Sequence, residues 1–397
     1  MRVLVAEDDP VSRTVLCRTL GKWGYQVVAA ENGAKAWSLF EQDQFSVVIS
    51  DWMMPELDGP ELVRRIRACN RNSYVYTILL TAKSQKEDVV AGMEAGADDF
   101  VTKPFDPGEL NARLRAGVRI LTLEHSLAHR NMELEAANER MKRDLEAAAR
   151  IQESLLPQRL PAVPGLEFAW AFRPCDELAG DILNILRLDE ENFGLYVLDV
   201  SNHGVPAALL AVTLSRLLTP LMHQSHLLKE PTPNGRGYRL VSPADVGCQL
   251  NRQFPMDNAA GQYFTLLYGV LNIQQLEFTY LQAGHPSPIH HSAAKGKCSV
   301  LEGCGLPVGF MENPAYREFR VKLAERDRLL LYSDGVPEAC NPGGEQFGEQ
   351  RLLEAFAESS PLALKESVGV LETRLAEWCG ESGMKDDVSL LALEVRK

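Results

Sequence analysis

The sequence predicts an α/β multidomain chain: a parallel-sheet domain, then a long helix, then a domain of antiparallel sheets packed with helices. Three observations carry this. Up to about residue 121, short apolar runs alternate with amphipathic stretches, the pattern of βαβ units in a parallel sheet. From about 120 to 156, residues recur in heptads with no Gly or Pro between Val118 and Leu156. From 161 to 397, many short apolar strands follow one another through turns with few helices between, which suits antiparallel sheets. A length of 397 residues exceeds one ordinary core and suits two or three domains.

The composition, 45% apolar and 24% charged, is that of an ordinary soluble protein. A net charge of −13 argues against nucleic-acid binding, and nothing resembles a basic helix-turn-helix. The eight Cys form no CxxC pair, so reduced thiols in a cytoplasmic setting are expected. "MRVLVAEDDP" is not a signal peptide, and no apolar run approaches transmembrane length, so no membrane attachment is expected.

In the first segment the strands are "RVLVA", "YQVVAA", "FSVVIS", "YTILLTA" and "DDFVTKP". Function in a parallel sheet gathers at the carboxyl ends of its strands. There stand Glu7 and Asp8, Asp51, Thr81 and Lys103. Carboxylates at neighbouring strand ends repel, and a hard cation such as Mg²⁺ resolves this with oxygen ligands. A carboxylate so held beside a Lys can accept a phosphoryl group, with Thr81 hydrogen-bonding a phosphoryl oxygen. With "EDD", "SDWMMPELDG", "LLTA" and "FVTKPF" in order, residues 1–121 resemble a response-regulator receiver domain. The resemblance implies a doubly wound (βα)5 parallel sheet, with Asp51 phosphorylated by a histidine kinase or phosphotransfer protein. It implies Mg²⁺ held by Glu7, Asp8, Asp51 and the Met53 carbonyl. Thr81, Phe100 and Lys103 would be the switch residues.

In the second segment Leu127, Leu134, Met141, Ala148 and Leu155 recur every seven residues, with Asn131, Asn138, Leu145 and Gln152 in the seam between them. This predicts a helical coiled-coil linker over 122–160 and a parallel homodimer, its polar seam residues weakening the pairing and setting register. Pro157, Pro161 and Pro164 end the helix.

In the third segment the strands are "LEFAWAF", "FGLYVLD", "YFTLLYGVLN", "LEFTYLQAG", "RLLLYSD" and "VSLLALEV", with helices at "VPAALLAVTLSRLL", at "SPADVGCQLNRQF" and around 349–378. The stretch 229–243 reads as a mobile or variable loop. An apolar run abuts Asp199, Asp334 and the pair Asp386–Asp387, and Asp181 sits in "LAGDILN". One such Asp is a turn residue; several in one domain suggest a carboxylate cluster at one end of a sheet pair. An all-oxygen site selects Mg²⁺ or Mn²⁺, and a carboxylate bridging two of them serves in-line attack at phosphorus.

With "ARIQESLLP", "AGD", "LDVSNHGVPAALLA", "AGHPSPI", "YSDGVPEA" and "DDVSLLAL" in order, residues 150–397 resemble the SpoIIE-like branch of the metal-dependent protein phosphatases. The resemblance implies an α/β sandwich over 161–397, two antiparallel sheets flanked by helices. Its activity would be phosphoserine or phosphothreonine hydrolysis with two Mn²⁺ or Mg²⁺. Asp199 would bridge the metals with the Val200 carbonyl; Asp181 would hold one, Asp334 and Asp386 the other, with Asp387 the less certain member of its pair. Substrates in this family are often STAS-domain anti-sigma-factor antagonists in partner-switching circuits. The chain departs from the family at Ala179, where Gly is usual, at Asn184, where a second Asp is common, and at Asn202, where Gly is usual. His203 and His285 are open between proton transfer and a structural hydrogen bond. The whole reads as a two-component response regulator whose Asp phosphorylation controls a phosphatase; the alternative is a non-catalytic receiver scaffold that sequesters a partner.

Overall fold

A computed structural model describes residues 1–69, 74–82, 90, 92–220, 227–232, 237–255 and 261–396. The chain divides into two compact units, Met1–Arg140 and Met141–Lys397.

The first unit runs β1 (Arg2–Ala6), α1 (Pro10–Lys22), β2 (Gln26–Ala30), α2 (Gly33–Gln42), β3 (Val47–Asp51), α3 (Gly59–Ala68), β4 (Tyr76–Thr81), β5 (Asp99–Thr102) and then enters α4 (Pro107–Glu153). The five strands form one parallel sheet in the order β2-β1-β3-β4-β5. Alternation along β1 divides the core. Val3 and Val5 pack with Leu16, Leu20, Leu110 and Leu114 on one face; Leu4 and Ala6 pack with Phe40, Leu62 and Ile66 on the other. The sheet is therefore doubly wound, as expected. From β1 the chain moves to one neighbour and then to the other, which opens a crevice at the carboxyl ends of β1 and β3. Local chemistry fixes the helix starts at that end. The Asp9 side chain accepts the Ser12 N–H at 2.7 Å, with Pro10 in the first turn of α1. Asp58 caps α3 in the same way, and a Cβ on Gly59 would lie 2.2 Å from the Asp51 carbonyl oxygen, so only Gly allows α3 to start there.

The linker helix differs from its expected start near residue 120. It is continuous from Pro107, forming the last helix against the sheet before running on to Glu153. Gly117 does not break it: a Cβ there would lie 2.4 Å from the Tyr76 ring, so Gly lets the helix pack on β4. The seam residues Leu127, Leu134 and Met141 are exposed, whereas Leu155 is half-buried and Gln152 buried.

The second unit contains β6 (Leu166–Arg173), β7 (Ile182–Arg187), β8 (Asn192–Val200), α5 (Val205–Leu217), β9 (Lys229–Pro231), β10 (Tyr238–Leu240), α6 (Pro243–Gln253), β11 (Phe264–Asn272), β12 (Glu277–Ala283), β13 (Ile289–Ser292), β14 (Lys297–Val300), β15 (Glu318–Lys322), β16 (Arg328–Tyr332), α7 (Gly348–Glu358), α8 (Leu364–Cys379) and β17 (Val388–Val395). Two five-stranded antiparallel sheets, β15-β12-β11-β8-β7 and β14-β13-β16-β17-β6, form the centre. Along β17, Leu391, Leu393 and Val395 join the large core shared with β8 and β11, while Leu390 and Ala392 face Leu352, Phe356, Leu371 and Leu375 of α7 and α8. Helices α5 and α6 pack on the other sheet through Ala207, Ala211, Leu214, Val246 and Leu250. This is the expected α/β sandwich. Within 229–243, the expected loop contains a two-stranded ribbon of β9 and β10. An Arg239–Glu230 ion pair at 2.7 Å and Lys229 over the Tyr238 ring at 4.4 Å hold it; residues 233–236 lie outside the described residues.

Candidate functional site

Two acidic centres form, one in each unit. In the first, Ala6 pairs with Ser50, so Glu7 and Asp51 leave β1 and β3 side by side. Carboxylate oxygens of Glu7, Asp8 and Asp51 all lie within 4.8 Å of one another. Lys103, just past β5, places Nζ 2.6 Å from Glu7 Oε2 and 2.7 Å from Asp51 Oδ2. Burial pushes the Glu7 carboxyl up, helped by the Asp51 charge and opposed by Lys103. Burial works to lower Lys103, but its bonds to Asp51 and Glu7 prevail and hold it above its usual value. The Trp52 N–H donates to Asp51 Oδ1 at 2.8 Å, and Arg13 Nη1 donates to the carbonyls of Glu7 and Asp8 at 2.6 and 3.0 Å. Thr81 is the buried last residue of β4, and its carbonyl accepts the Lys103 N–H at 2.7 Å. Phe100 is half-buried in β5, 5.9 Å from the Arg113 guanidinium, and Met53 lies in a bend past β3 with its side chain exposed. Glu7 Oε1 is buried without a partner. An oxygen-only donor set with an orphaned carboxylate oxygen fits a hard cation such as Mg²⁺.

In the second, the acids come from both sheets. Ile182 pairs with Leu198, so Asp181 at the head of β7 and Asp199 near the end of β8 are neighbours. From the other sheet, Asp334 follows β16, and Asp386 and Asp387 precede its partner β17. Ser333 locks these two ends together: its Oγ accepts the Ser389 N–H at 2.9 Å and donates to the Asp387 carbonyl at 3.2 Å. A Cβ on Gly335 would lie 2.0 Å from that same carbonyl oxygen, which is why "SDG" needs its Gly. A Cβ on Gly180 would lie 3.0 Å from the Val200 carbonyl oxygen, so the chain before Asp181 runs against the end of β8. Asn202 has φ 68°, in the left-handed region, which explains Asn at a position where Gly is usual.

Crowding of like charges dominates the electrostatics. Asp181 is 1% exposed, with Oδ2 unpartnered, and burial followed by the charges of Asp199 and Asp387 pushes it well up. Burial, then Asp334, Asp386 and Asp387, push Asp199 up to about 8. Burial and Asp386 push Asp334 up to about 6, and burial also raises Asp386. Such a set ionises together only if positive charge is supplied, and its oxygens suit Mn²⁺ or Mg²⁺. Asp387 has a further task. Its Oδ1 accepts the Cys175 N–H at 2.8 Å, and its Oδ2 accepts the N–H groups of Gly180 and Asp181 at 2.7 and 3.4 Å. It thereby shapes the 175–181 loop that carries Asp181.

The two histidines part company. His285 is buried; burial lowers it to about 3, so it is neutral, with Nδ1 2.7 Å from Thr265 Oγ1 in the strand beside Asp199. His203 is exposed, with Nδ1 3.2 Å from Asp176 Oδ2. The Asn184 side chain donates to the Leu155 carbonyl at 2.8 Å, so its amide is engaged with the chain leaving α4. Sequence reasoning did not assign Gln152, Cys175, Asp176 or Ser333 to this centre. Gln152 stood out only as a polar residue in an apolar seam.

A family model described as Stage II sporulation protein E (SpoIIE) matches residues 189–396, more than half of the chain. The chain belongs to the SpoIIE family. Before its SpoIIE domain, a model described as response regulator receiver domain matches residues 3–115. The phosphoserine phosphatase RsbU of Bacillus subtilis is 25% identical over 262 residues, 66% of this chain and 72% of that one. The probable transcriptional regulator ycf27 of Guillardia theta is 45% identical over 118 residues, 30% of this chain. The chain spans only 45% of that relative's length. Among solved structures, the SiaA-PP2C domain of Pseudomonas aeruginosa is similar with a TM-score of 0.54 at 22% identity, covering 65% of this chain and 98% of that one; this likeness speaks for the fold alone. Among the described residues, no helix of this SpoIIE-family chain is long and apolar enough to cross a membrane.

Proposed function

We propose that this SpoIIE-family chain is a metal-dependent phosphoserine/phosphothreonine protein phosphatase whose output is set by phosphorylation of Asp51. The observation that carries the reading is the convergence of Asp181, Asp199, Asp334 and Asp386 from two sheets, where burial and the neighbouring acids push Asp199 up to about 8. Two divalent ions would be held by these four carboxylates and the Val200 carbonyl, Asp199 bridging, while Asp387 keeps the loop in place. When bound, such ions supply neutralisation of phosphoryl oxygens and activation of the attacking water. The chain's own contribution is to hold the acids in register by the Ser333–Ser389 lock and to present His203, paired with Asp176, at the exposed edge where a leaving seryl oxygen needs a proton.

The domain limits 1–121, 122–160 and 161–397 go with this reading. So do a histidine kinase or phosphotransfer protein as phosphoryl source, Mg²⁺ beside Asp51, and a homodimer through α4. The substrate is a phosphorylated STAS-type protein of a partner-switching pathway; the naming of RsbU as a phosphoserine phosphatase supports the phosphoserine chemistry. The test is phosphate release from phosphorylated STAS-domain proteins with Mn²⁺, with and without a phosphodonor for Asp51. Release that requires Mn²⁺ and changes with the phosphodonor is the expected result. No release from any phosphoserine protein would leave the scaffold reading standing.

A further inference from the structure

His285 is a polar ring in a place that an apolar core would fill with Leu or Phe. It is 1% exposed, in the turn between β12 and β13, and the fold holds that turn closely. Gly284 has φ 69°, its N–H donates to the Gly305 carbonyl at 2.9 Å, and a Cβ on it would lie 2.5 Å from Pro307 Cγ. The Gln282 side chain donates to the His285 carbonyl. The ring so placed touches both sheets. Its Nδ1 lies 2.7 Å from Oγ1 of Thr265 in β11. Thr265 is the cross-strand partner of Asp199, so their side chains leave the same face of the sheet. The ring also meets the backbone of Tyr332, the last residue of β16 in the other sheet and two residues before Asp334. Burial lowers the ring to about 3, against the pull of that backbone, so it is neutral. A neutral imidazole has one donor and one acceptor nitrogen. With Nδ1 engaged by Thr265, Nε2 is left for Tyr332; it is buried and falls short of a full hydrogen bond. A carbonyl can only accept, so Nε2 carries the proton and Nδ1 accepts from the Thr265 hydroxyl.

We propose that His285 is a positioning residue for ion binding: through Thr265 and the Tyr332 backbone it sets the spacing of the two strand ends that carry Asp199 and Asp334. The inference rests on the reading that these acids hold divalent ions. Asp199 and Asp334 belong to different sheets, so no ladder of backbone hydrogen bonds fixes their separation. Apolar packing between the sheets is non-directional and leaves room for sliding. A hydrogen-bonding ring reaching from one sheet to the other has a preferred distance and angle, and it ties the sheets together at the end where the acids stand. His285 acts through its two neighbours; it holds the acids in place and transfers no proton.

The test is Mn²⁺ binding by the full-length protein without substrate, read from the electron paramagnetic resonance signal of free Mn²⁺, with melting in chelator measured alongside. Thr265→Val keeps the shape of the side chain and removes the hydroxyl. It should weaken Mn²⁺ binding roughly 2–10-fold, the range that one lost hydrogen bond commands, and Thr265→Ser should restore it. His285→Leu should weaken binding at least as much as Thr265→Val; where it fails to fold, the Thr265 pair decides. Wild-type affinity in Thr265→Val, whatever its melting temperature, would overturn the proposal and leave the ring an ordinary core contact. So would a loss that Thr265→Ser does not restore. A wild type that binds no Mn²⁺ would remove the metal reading and this inference with it, whereas equal binding by wild type and variants removes this inference alone.

Discussion

Gln152 brackets the backbone of Ala179: its Nε2 donates to the Ala179 carbonyl at 2.6 Å, and its Oε1 accepts the Ala179 N–H at 3.1 Å. Gln152 lies in the last turn of α4, and Ala179 is two residues before Asp181. Both are buried, so Gln152→Ala strands a buried donor and a buried acceptor, each costing about 1–3 kcal/mol. We expect the Mn²⁺ concentration for half-maximal phosphate release to rise severalfold, with a smaller fall in turnover at saturating Mn²⁺. Gln152→Glu, which keeps the acceptor but loses the donor, should fall between. A lowered melting temperature with unchanged Mn²⁺ dependence would make the clamp structural only.

Asp51 is the predicted phosphoryl acceptor, since it ends β3 beside Glu7 and Asp8 with Lys103 Nζ at 2.7 Å. Asp51→Asn removes the nucleophilic oxygen while keeping the shape. Mg²⁺-dependent labelling by a small phosphodonor should vanish. Equal labelling of wild type and variant would sink the assignment.

Asp199→Asn should lower phosphate release by orders of magnitude if Asp199 is one of the carboxylates that would hold the two ions, because it removes that negative charge. Labelling of Asp51 should be untouched. Each activity is thereby a folding control for the other. Phosphate release that survives a chelator would show the acids serving another purpose.

The pH dependence of stability has a definite sign without metal. Asp199 is held at about 8 and Asp334 at about 6, above the ordinary 3.8, chiefly by burial and then by neighbouring acids. Groups raised in the fold stabilise it while protonated. That stability is whole below the unfolded value and is lost as pH rises through about 6 and then about 8. In chelator, the melting temperature should fall from pH ~4 to ~8, most steeply up to ~6, with the part between ~6 and ~8 missing in Asp199→Asn. Saturating Mn²⁺ should oppose the fall, since metal binding displaces the protons. A flat profile in chelator would contradict the crowding of these acids.

The acids were readable because fully buried strands appear as unbroken apolar runs, and β1, β3, β8, β16 and β17 each carry an acid at or near one end. The strands that escaped were β7, β9, β10, β13, β14 and β15. Of these, β7, β14 and β15 are sheet edges, and "KCSV" and "EFRVK" have no buried residue to write an apolar pattern. Gln152 and Cys175 escaped for a different reason. Gln152 bonds to a backbone, which any residue type supplies, and Cys175 meets Asp387 across 212 positions of chain. Gly117 lies inside α4 because close packing on the Tyr76 ring leaves no room for a Cβ, a requirement that only the folded neighbour reveals.

The helix α4 should carry the signal from Asp51 to the second acidic centre. It is one unbroken helix from Pro107, next to the strand end holding Lys103, to Glu153, next to the Gln152 clamp. A stiff helix passes a small rotation or a change of pairing along its length, where a Gly/Ser linker would lose it. Its seam, with Asn131 and Asn138 among Leu127, Leu134 and Met141, is weak enough to support two arrangements of similar energy. Coupling through such an element amounts to about 1–3 kcal/mol, or roughly 5–150-fold in affinity. Insertion near Ala137 tests this. Four added residues turn the downstream part by about 40° relative to the upstream part, and seven nearly restore the face. The response of phosphate release to Asp51 phosphorylation should fail with four and recover at least partly with seven, while labelling of Asp51 stays the same in both. If both insertions respond like the wild type, α4 is a tether and the signal takes another route.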